Sequence, residues 1–497
     1  MLQFLCPELL GWKGADPLKT FLKTIDRKVL DPETRLKGIT WAYMAFTSIF
    51  LIHHVYATVY QKTVLNGGKQ LVVPFLLFAL AGFFLGKLWK DKLFWVFAAL
   101  FTLKVVRTAM FGEYAFMVSG SYFVLSAYVY FGVYAVARVI PRSSWRAFLS
   151  VHCFCWTLAS VVFCFFGLKT AITGISIPNL GTEYFTIIAD YVYKRLALIY
   201  QPVTSGLMLS FCMSFTILGC FLTKRKFLRL FYILASIILF FTASLTGTRT
   251  AYVLSGINVA LILCIVLFDA LKPDKASNLL IKAGKYLLII LISLITTGLI
   301  AYLQSRAVIL QQHMQTHGGL LISTAHAEEA WFYTINQRDF VFSTNLDTML
   351  NGRFFLWQNI FQVVFSSAEN LFLGQSVYNT MIPVNEIRYE LGYMGFYHCH
   401  SIYLQHLLEN GLPAFLLYTS FIVTFFVHAV RIMKNRSLPF WQRVLPVTTI
   451  LCALEGLIDN TCHVNFGYPQ MTLLFLIAGF TITLSREEKK KKDALIS

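Results

Sequence analysis

The chain has 497 residues, 57% of them hydrophobic and only 13% charged, with a mean hydropathy of +0.64. Soluble proteins carry about 25% charged residues, so this composition excludes an ordinary cytosolic enzyme and points to a chain embedded mostly in a bilayer. The 42 Lys and Arg against 24 Asp and Glu give a net charge of +18, which in a soluble protein would suggest a nucleic-acid partner. Here the placement of the charges matters more than their sum.

About 20 apolar residues cross one hydrocarbon core. Residues 1–37 are polar and basic, show no cleavable signal peptide, and read as a cytoplasmic segment. Hydropathy then predicts twelve spans, near 38–60, 71–88, 93–112, 116–138, 147–168, 202–222, 227–246, 250–270, 284–303, 412–430, 444–462 and 466–484. With the N-terminus inside, 30 of the 42 basic residues fall in cytoplasmic segments and ten outside, among them Lys194, Arg195, Arg249 and Arg353. That asymmetry satisfies the positive-inside rule with both termini cytoplasmic. The +18 is thus mainly a topology signal, with anionic lipid as the partner of the basic ends rather than nucleic acid. The expected organisation is a cytoplasmic segment 1–37, spans one to nine over 38–303 with an outer loop at 169–201, a large outer loop at 304–411, spans ten to twelve over 412–484, and a basic tail at 485–497 whose run Lys489 to Lys492 reads as solvated.

A hundred-residue loop without secondary structure of its own is uncommon, so 304–411 is expected to fold onto the membrane mouth and carry function. Within it, 351–366 reads as an amphipathic helix, with Asn351 as N-cap and Phe354, Trp357, Phe361 and Val364 as its apolar stripe. Ten cysteines lie mostly in apolar runs and form no CxxC pair, so neither a zinc site nor a disulfide framework is indicated. Whether Cys399 and Cys462 meet is open.

The stretch from His398 to Pro413 is the most informative. A helix beginning near His400 would place Leu404, Leu407, Leu408 and Gly411 on the same face as that histidine. An imidazole in the first turn of a helix is held neutral by the positive helix end, which suits a general base. Gly411-Leu-Pro413 would break the helix and restart it as span ten. His398 and His406 read as packing or interfacial residues. Arg249 follows Leu245-Thr-Gly-Thr248 at the outer end of span seven, Arg353 opens the loop helix after Asn351-Gly352, and Arg195 precedes span six. Each arginine alone reads as a border anchor. Together, on a face otherwise purged of positive charge, they suggest a site for a lipid-linked phosphate or pyrophosphate. Lys104 and Arg107 in span three and Glu455 and Asp459 in span eleven read as a structural or gating ion pair. A DxD, HExxH, GxxxxGK[ST] or nucleotide-fold GxGxxG motif is absent, which argues against a metal-dependent nucleotide-sugar transferase, a zincin or an ATP-driven pump.

At these residues the sequence resembles the O-antigen ligase and O-antigen polymerase superfamily of bacterial envelope glycosyltransferases. The ligase signature is His followed by Asn, Ser or Gln, nine residues, Gly, two residues, then Gly, Thr or Tyr. His400-Ser401, residues 402–410 and Gly411 match it, and Ala414 departs at the last position. Thr246-Gly-Thr248-Arg249 resembles the family's small-residue-Ser-Arg element. Gly352-Arg353 with Trp357 and Leu373-Gly374 resembles its Gly-Arg element, and Arg195 to Pro202 its Arg-then-Pro element, with Val203 where Asn is usual. The resemblance covers about 190–465.

It implies an all-α polytopic protein of glycosyltransferase C type with about twelve transmembrane helices and a large periplasmic loop between the ninth and tenth. It further implies cofactor- and metal-independent, inverting transfer of a glycan from undecaprenyl pyrophosphate to a lipid A-core hydroxyl at the periplasmic face of the inner membrane. His400 would be the base, and Arg249, Arg353 and Arg195 would bind pyrophosphate, with Ser401, Gly411 and Gly352 as motif support. The alternatives are an O-antigen polymerase using the same donor and a lipid or glycan transporter.

Overall fold

The computed structural model describes residues 34, 38, 42, 72–173, 202–273, 278–316, 353–391, 395–396, 398–460, 463 and 470–496. Among them all regular structure is helical. In chain order the helices are α1 (Val72–Leu85), α2 (Lys92–Ala109), α3 (Glu113–Val118), α4 (Gly120–Ala127), α5 (Val136–Val139), α6 (Trp145–Thr173), α7 (Pro202–Leu222), α8 (Lys226–Leu245), α9 (Arg249–Leu271) and α10 (Leu279–Thr316). They continue with α11 (Arg353–Val364), α12 (Ala368–Leu373), α13 (Ser376–Asn379), α14 (Ile382–Glu390), α15 (Ile402–Lys434), α16 (Phe440–Val444), α17 (Pro446–Ile458) and α18 (Gln470–Ile496).

Seven described stretches are long and apolar enough to cross a membrane: Gly120–Val139, Arg142–Phe165, Val203–Leu222, Lys226–Leu245, Arg249–Leu271, Leu279–Gln304 and Ile402–Lys434. The chain is therefore a multi-pass membrane protein. Its outermost helix shows why: α10 leaves Leu287 67% and Leu294 65% exposed, a surface stable only against acyl chains. The expected span at 38–60 lies outside the described residues.

Two expected spans are less regular than their hydropathy. The stretch read as 116–138 is α3 and α4, a π turn at Tyr128–Val133, and α5. A side chain at Gly132 would strike Phe78, so this glycine lets α1 pack against the π turn, the kind of local insertion that bends helices. The stretch read as 444–462 is divided between α16 and α17, with Pro446 opening the second helix and Asp459 closing it.

Small polar side chains join the central helices. Ser210 of α7 donates to Ala251 O at 3.1 Å and meets Ser255 at 3.2 Å, Ser214 meets Thr448 at 2.8 Å, and Thr157 meets Thr216 at 2.9 Å. Such contacts hold helices where apolar surface gains nothing by leaving lipid. At the basic loops, Asp91 caps α2 and pairs with Arg138 at 2.9 Å and Arg486 at 2.7 Å, while Asp269 pairs with Arg436 at 3.3 Å and Arg443 at 2.5 Å. Helix α18 continues through the basic tail to Ile496, with Lys489 to Lys492 exposed.

The loop helices build a second small core on the start of α15, from Leu356, Ile360, Val363, Val384, Leu407 and Leu408. The face of α11 that packs here includes Val364 and the half-buried Trp357 of the expected stripe but not its phenylalanines. Phe354 and Phe361 are 39% and 41% exposed, and Leu356, Ile360 and Val363 are buried instead. Helix α11 is apolar on nearly every side, so periodicity alone could not select its inner face. Asn351 and Gly352 lie outside the described residues.

Candidate active site

The site is assembled where α15 begins. Ser401 is the N-cap of α15: its backbone is extended and its hydroxyl accepts from Leu404 N at 3.5 Å. The same hydroxyl donates to Gly456 O at 3.2 Å, and Tyr403 donates to Ala453 O at 3.1 Å. These bonds fasten the first turn of α15 to the last turn of α17. Asp459, which ends α17, is thereby brought beside His400.

His400 itself lies before the helix, not in its first turn as its spacing suggested. It has a left-handed backbone, φ 50°, a conformation His adopts more readily than most residues yet one that costs energy. Nδ1 of His400 lies 3.6 Å from Asp459 Oδ1, longer than a hydrogen bond but close for a charge pair. Nδ1 is buried while the side chain as a whole is 20% exposed, so the exposed part of the ring lies beyond Nδ1. The His398 ring stands 4.1 Å away and the edge of Phe396 at 5.5 Å. His400 N donates to His398 Nδ1 at 3.3 Å. Burial, reinforced by His400, pushes the His398 imidazole down to about 4, so this neighbour is neutral. His398 therefore belongs to the site, although its spacing read as packing. His406 does pack, against Tyr418 and His463 at 4.4 and 4.8 Å between centroids.

Arg353 opens α11 and reaches the same carboxylate. It donates to Asp459 Oδ2 at 3.2 Å and to Ile458 O. Trp357, one turn later, donates to Cys399 O at 3.0 Å and holds the strand leading into His400. The site thus joins residues 353, 400 and 459 from three separate elements. Asp459 is the member that sequence reasoning missed, having assigned it to an ion pair with span three. Lys104 instead donates to Ser126 at 2.9 Å, and Arg107 pairs with Glu369 at 2.9 Å and donates to Gly374 O at 2.9 Å. An aspartate amid apolar residues near a span's outer end was the only signal for its role.

Arg249 is positioned by another element. It is the first residue of α9, after Thr248 as N-cap and Gly247 at φ 59°. A side chain at Gly206 of α7 would strike Thr246 and Thr248, so this turn is pressed against α7. A guanidinium beside the open N–H groups of a helix start is an anion-binding arrangement. Helix α9 packs against α17, whose end carries Asp459. Arg195 lies outside the described residues.

His398, His400 and Asp459 offer three ligand atoms within 4.8 Å of one another, which could hold a metal ion. One carboxylate oxygen of that set already faces Arg353, whose fixed positive charge occupies the side where a cation would add its own. The described cysteines, Cys399 among them, are free thiols, and Cys462 lies outside the described residues.

Gly411 closes the motif. Asn410 and Gly411 leave helical geometry, Gly411 at φ 73°, so α15 is two segments joined at a kink. A side chain at Gly411 would strike Phe372, and one at Gly374, also at φ 73°, would strike Asn410. Gln375 N donates to Leu408 O at 2.7 Å across the same contact. The two glycines let the turn after α12 lie against the kink and seat the loop over the membrane helix.

Residues 234–419 match the sequence model of a family described as O-antigen ligase. That segment belongs to the O-antigen ligase and polymerase superfamily. The O-antigen ligase segment begins within α8, takes in Arg249, Arg353, His400 and Gly411, and ends within α15, so Asp459 lies beyond it. Superfamily members are enzymes of glycosyl transfer in O-antigen processing. Among curated proteins none matches the chain significantly.

Proposed function

We propose that the chain is an O-antigen ligase, transferring a glycan from undecaprenyl pyrophosphate to a sugar hydroxyl of lipid A-core at the periplasmic face of the bacterial inner membrane. The observation that carries this reading is the convergence of His400, Asp459 and Arg353 inside a site otherwise drawn from the O-antigen ligase segment. His400 Nε2 takes the proton of the acceptor hydroxyl. The freed oxygen attacks the anomeric carbon, and the bond from that carbon to the pyrophosphate breaks with inversion. The electron pair leaves on undecaprenyl pyrophosphate. Asp459 steadies the imidazolium through Nδ1, as a carboxylate does in other base-assisted transfers. Arg353 and Arg249, with Arg195 as a third, meet the diphosphate charge that grows in the transition state. Fixed guanidinium groups make the reaction independent of metal, so chelation with EDTA leaves the rate unchanged. A twelve-span arrangement with both ends cytoplasmic, the one the basic loops suggest, would put these groups outside.

The O-antigen polymerase is the second reading, because it uses the same donor and Ala414 departs from the ligase signature. A deletion strain separates the two. Loss of a ligase leaves polymer on the lipid carrier and bare core, whereas loss of a polymerase leaves core capped with one repeat. Complementation by the His400→Ala variant restores neither phenotype. Full complementation by that variant would sink the base assignment, and transport of an unrelated solute by it would favour the transporter.

A further inference from the structure

Beside His400 lies a cavity of about 260 Å³ between α13, α14 and the first turns of α15, with Tyr122 of α4 on its far wall. At roughly 30 Å³ of liquid per water molecule, that is space for several waters, the scale of one sugar ring. Its floor is Glu409, 1% exposed, whose carboxylate accepts from Gln405 Nε2 at 2.8 Å and lies 3.8 Å from His463 Nε2. Tyr378, 42% exposed, stands at the mouth. Phe396 forms the wall shared with the site, since its ring also meets His400. That wall is fixed by Asn385, whose amide bonds Phe396 N and O at 2.8 and 2.9 Å. Gln405 ties floor to site as well, accepting from Cys399 N at 3.0 Å.

The lining selects a ligand class. Among the described residues it contains a carboxylate but no Lys, Arg or His, which disfavours an anionic phosphate. An acyl chain would set apolar carbon against a buried carboxylate and side-chain amides, a poor match for either. Aromatic rings alternating with carboxylate and amide groups suit a neutral, hydroxyl-rich ring, whose apolar face stacks and whose hydroxyls donate to charged oxygen.

We propose that this cavity is a sugar subsite, which holds one pyranose ring next to the ring reacting at His400, with Glu409 and Gln405 bonding its hydroxyls. The proposal rests on the glycosyl-transfer reading of the neighbouring site. The ring belongs either to the acceptor or to the donor glycan.

The test is saturation-transfer NMR on the full chain in a sugar-free detergent, with methyl pyranosides of glucose, galactose, mannose, N-acetylglucosamine and heptose as probes. Val377→Trp fills the cavity from its wall, and Glu409→Gln removes the floor charge at constant size. The expected result is that at least one pyranoside binds the wild type and His400→Ala alike, and at least tenfold more weakly either cavity variant. Equal binding of all probes by wild type and both variants overturns the proposal, as does binding of none by the wild type. In a transfer assay, a rise confined to the acceptor KM assigns the ring to the acceptor, and one confined to the donor KM assigns it to the donor. No change in either KM overturns the subsite. Pyranoside binding by a wild type that transfers no glycan overturns the enzymatic reading while leaving the subsite standing.

Discussion

At His400 a strained backbone, φ 50°, meets a carboxylate at the end of another helix, with Nδ1 3.6 Å from Asp459 Oδ1. Asp459→Asn keeps the shape but removes the charge that supports the imidazolium. We expect kcat to fall by about 10² to 10⁴, the scale seen when a triad carboxylate becomes an amide, with donor affinity retained. Equal kcat in a steady-state transfer assay would dismiss the role. Ser401→Ala removes the cap of α15 and its bond to Gly456, costing about 1 kcal/mol in the cap alone, and Ser401→Thr restores it. Thermal unfolding of the two variants checks this. His398 faces His400, Asp459 and Arg353, and burial holds its imidazole at about 4, below the ordinary histidine value of 6.5. Between those values the unfolded chain binds more protons, so stability rises with pH there. The His398 contribution is thus complete above about 6.5 and lost as pH falls toward 4. His398→Asn flattens that part of a melting-temperature profile against pH, and an unchanged slope would show that the histidine does not titrate in this window.

Among the elements, the kink of α15 is the joint on which the site depends. Gly374 and Gly411 both occupy φ 73° and face each other's backbone. Alanine at either costs about 1–3 kcal/mol for the backbone conformation alone, and the clash adds to it. Each variant should lower the unfolding midpoint and the transfer rate together, whereas Gly298→Ala, with open space around its position, should change neither. The sequence made this element legible because its demands are local: a hydroxyl before a helix, then a glycine and a proline ten and twelve residues later. Asp459 was illegible because its partners lie 59 and 106 positions away, and no local pattern marks a tertiary contact. The inner face of α11 was only half read, with Trp357 and Val364 placed and Phe354 and Phe361 not, since a helix with phenylalanines on several sides carries no single apolar stripe. Helix positions were largely readable from hydropathy, but the π turn and the break at Pro446 arise from close packing that hydropathy does not register.

For the whole molecule, the basic loops and the site should lie on opposite sides of the bilayer. Ser367, in the turn between α11 and α12, and Ser437, between α15 and α16, are both exposed. In intact cells a membrane-impermeant thiol reagent should label Ser367→Cys and spare Ser437→Cys, and the reverse pattern would invert the topology. The charge of +18 would then sit mainly in the basic loops, where Asp91 offsets part of it by pairing with Arg138 and Arg486 and anionic lipid would meet the rest. What remains is a small set of ionisable groups where the ends of α11, α15 and α17 meet. The most direct measurement is transfer of a radiolabelled glycan from undecaprenyl pyrophosphate to lipid A-core by the purified, reconstituted chain, with and without EDTA, comparing wild type with His400→Ala. Wild type should transfer equally in both conditions and the variant should be at least 10²-fold slower, the usual loss of a general base, while still binding donor. Transfer by His400→Ala at the wild-type rate, or none by the wild type, would contradict it.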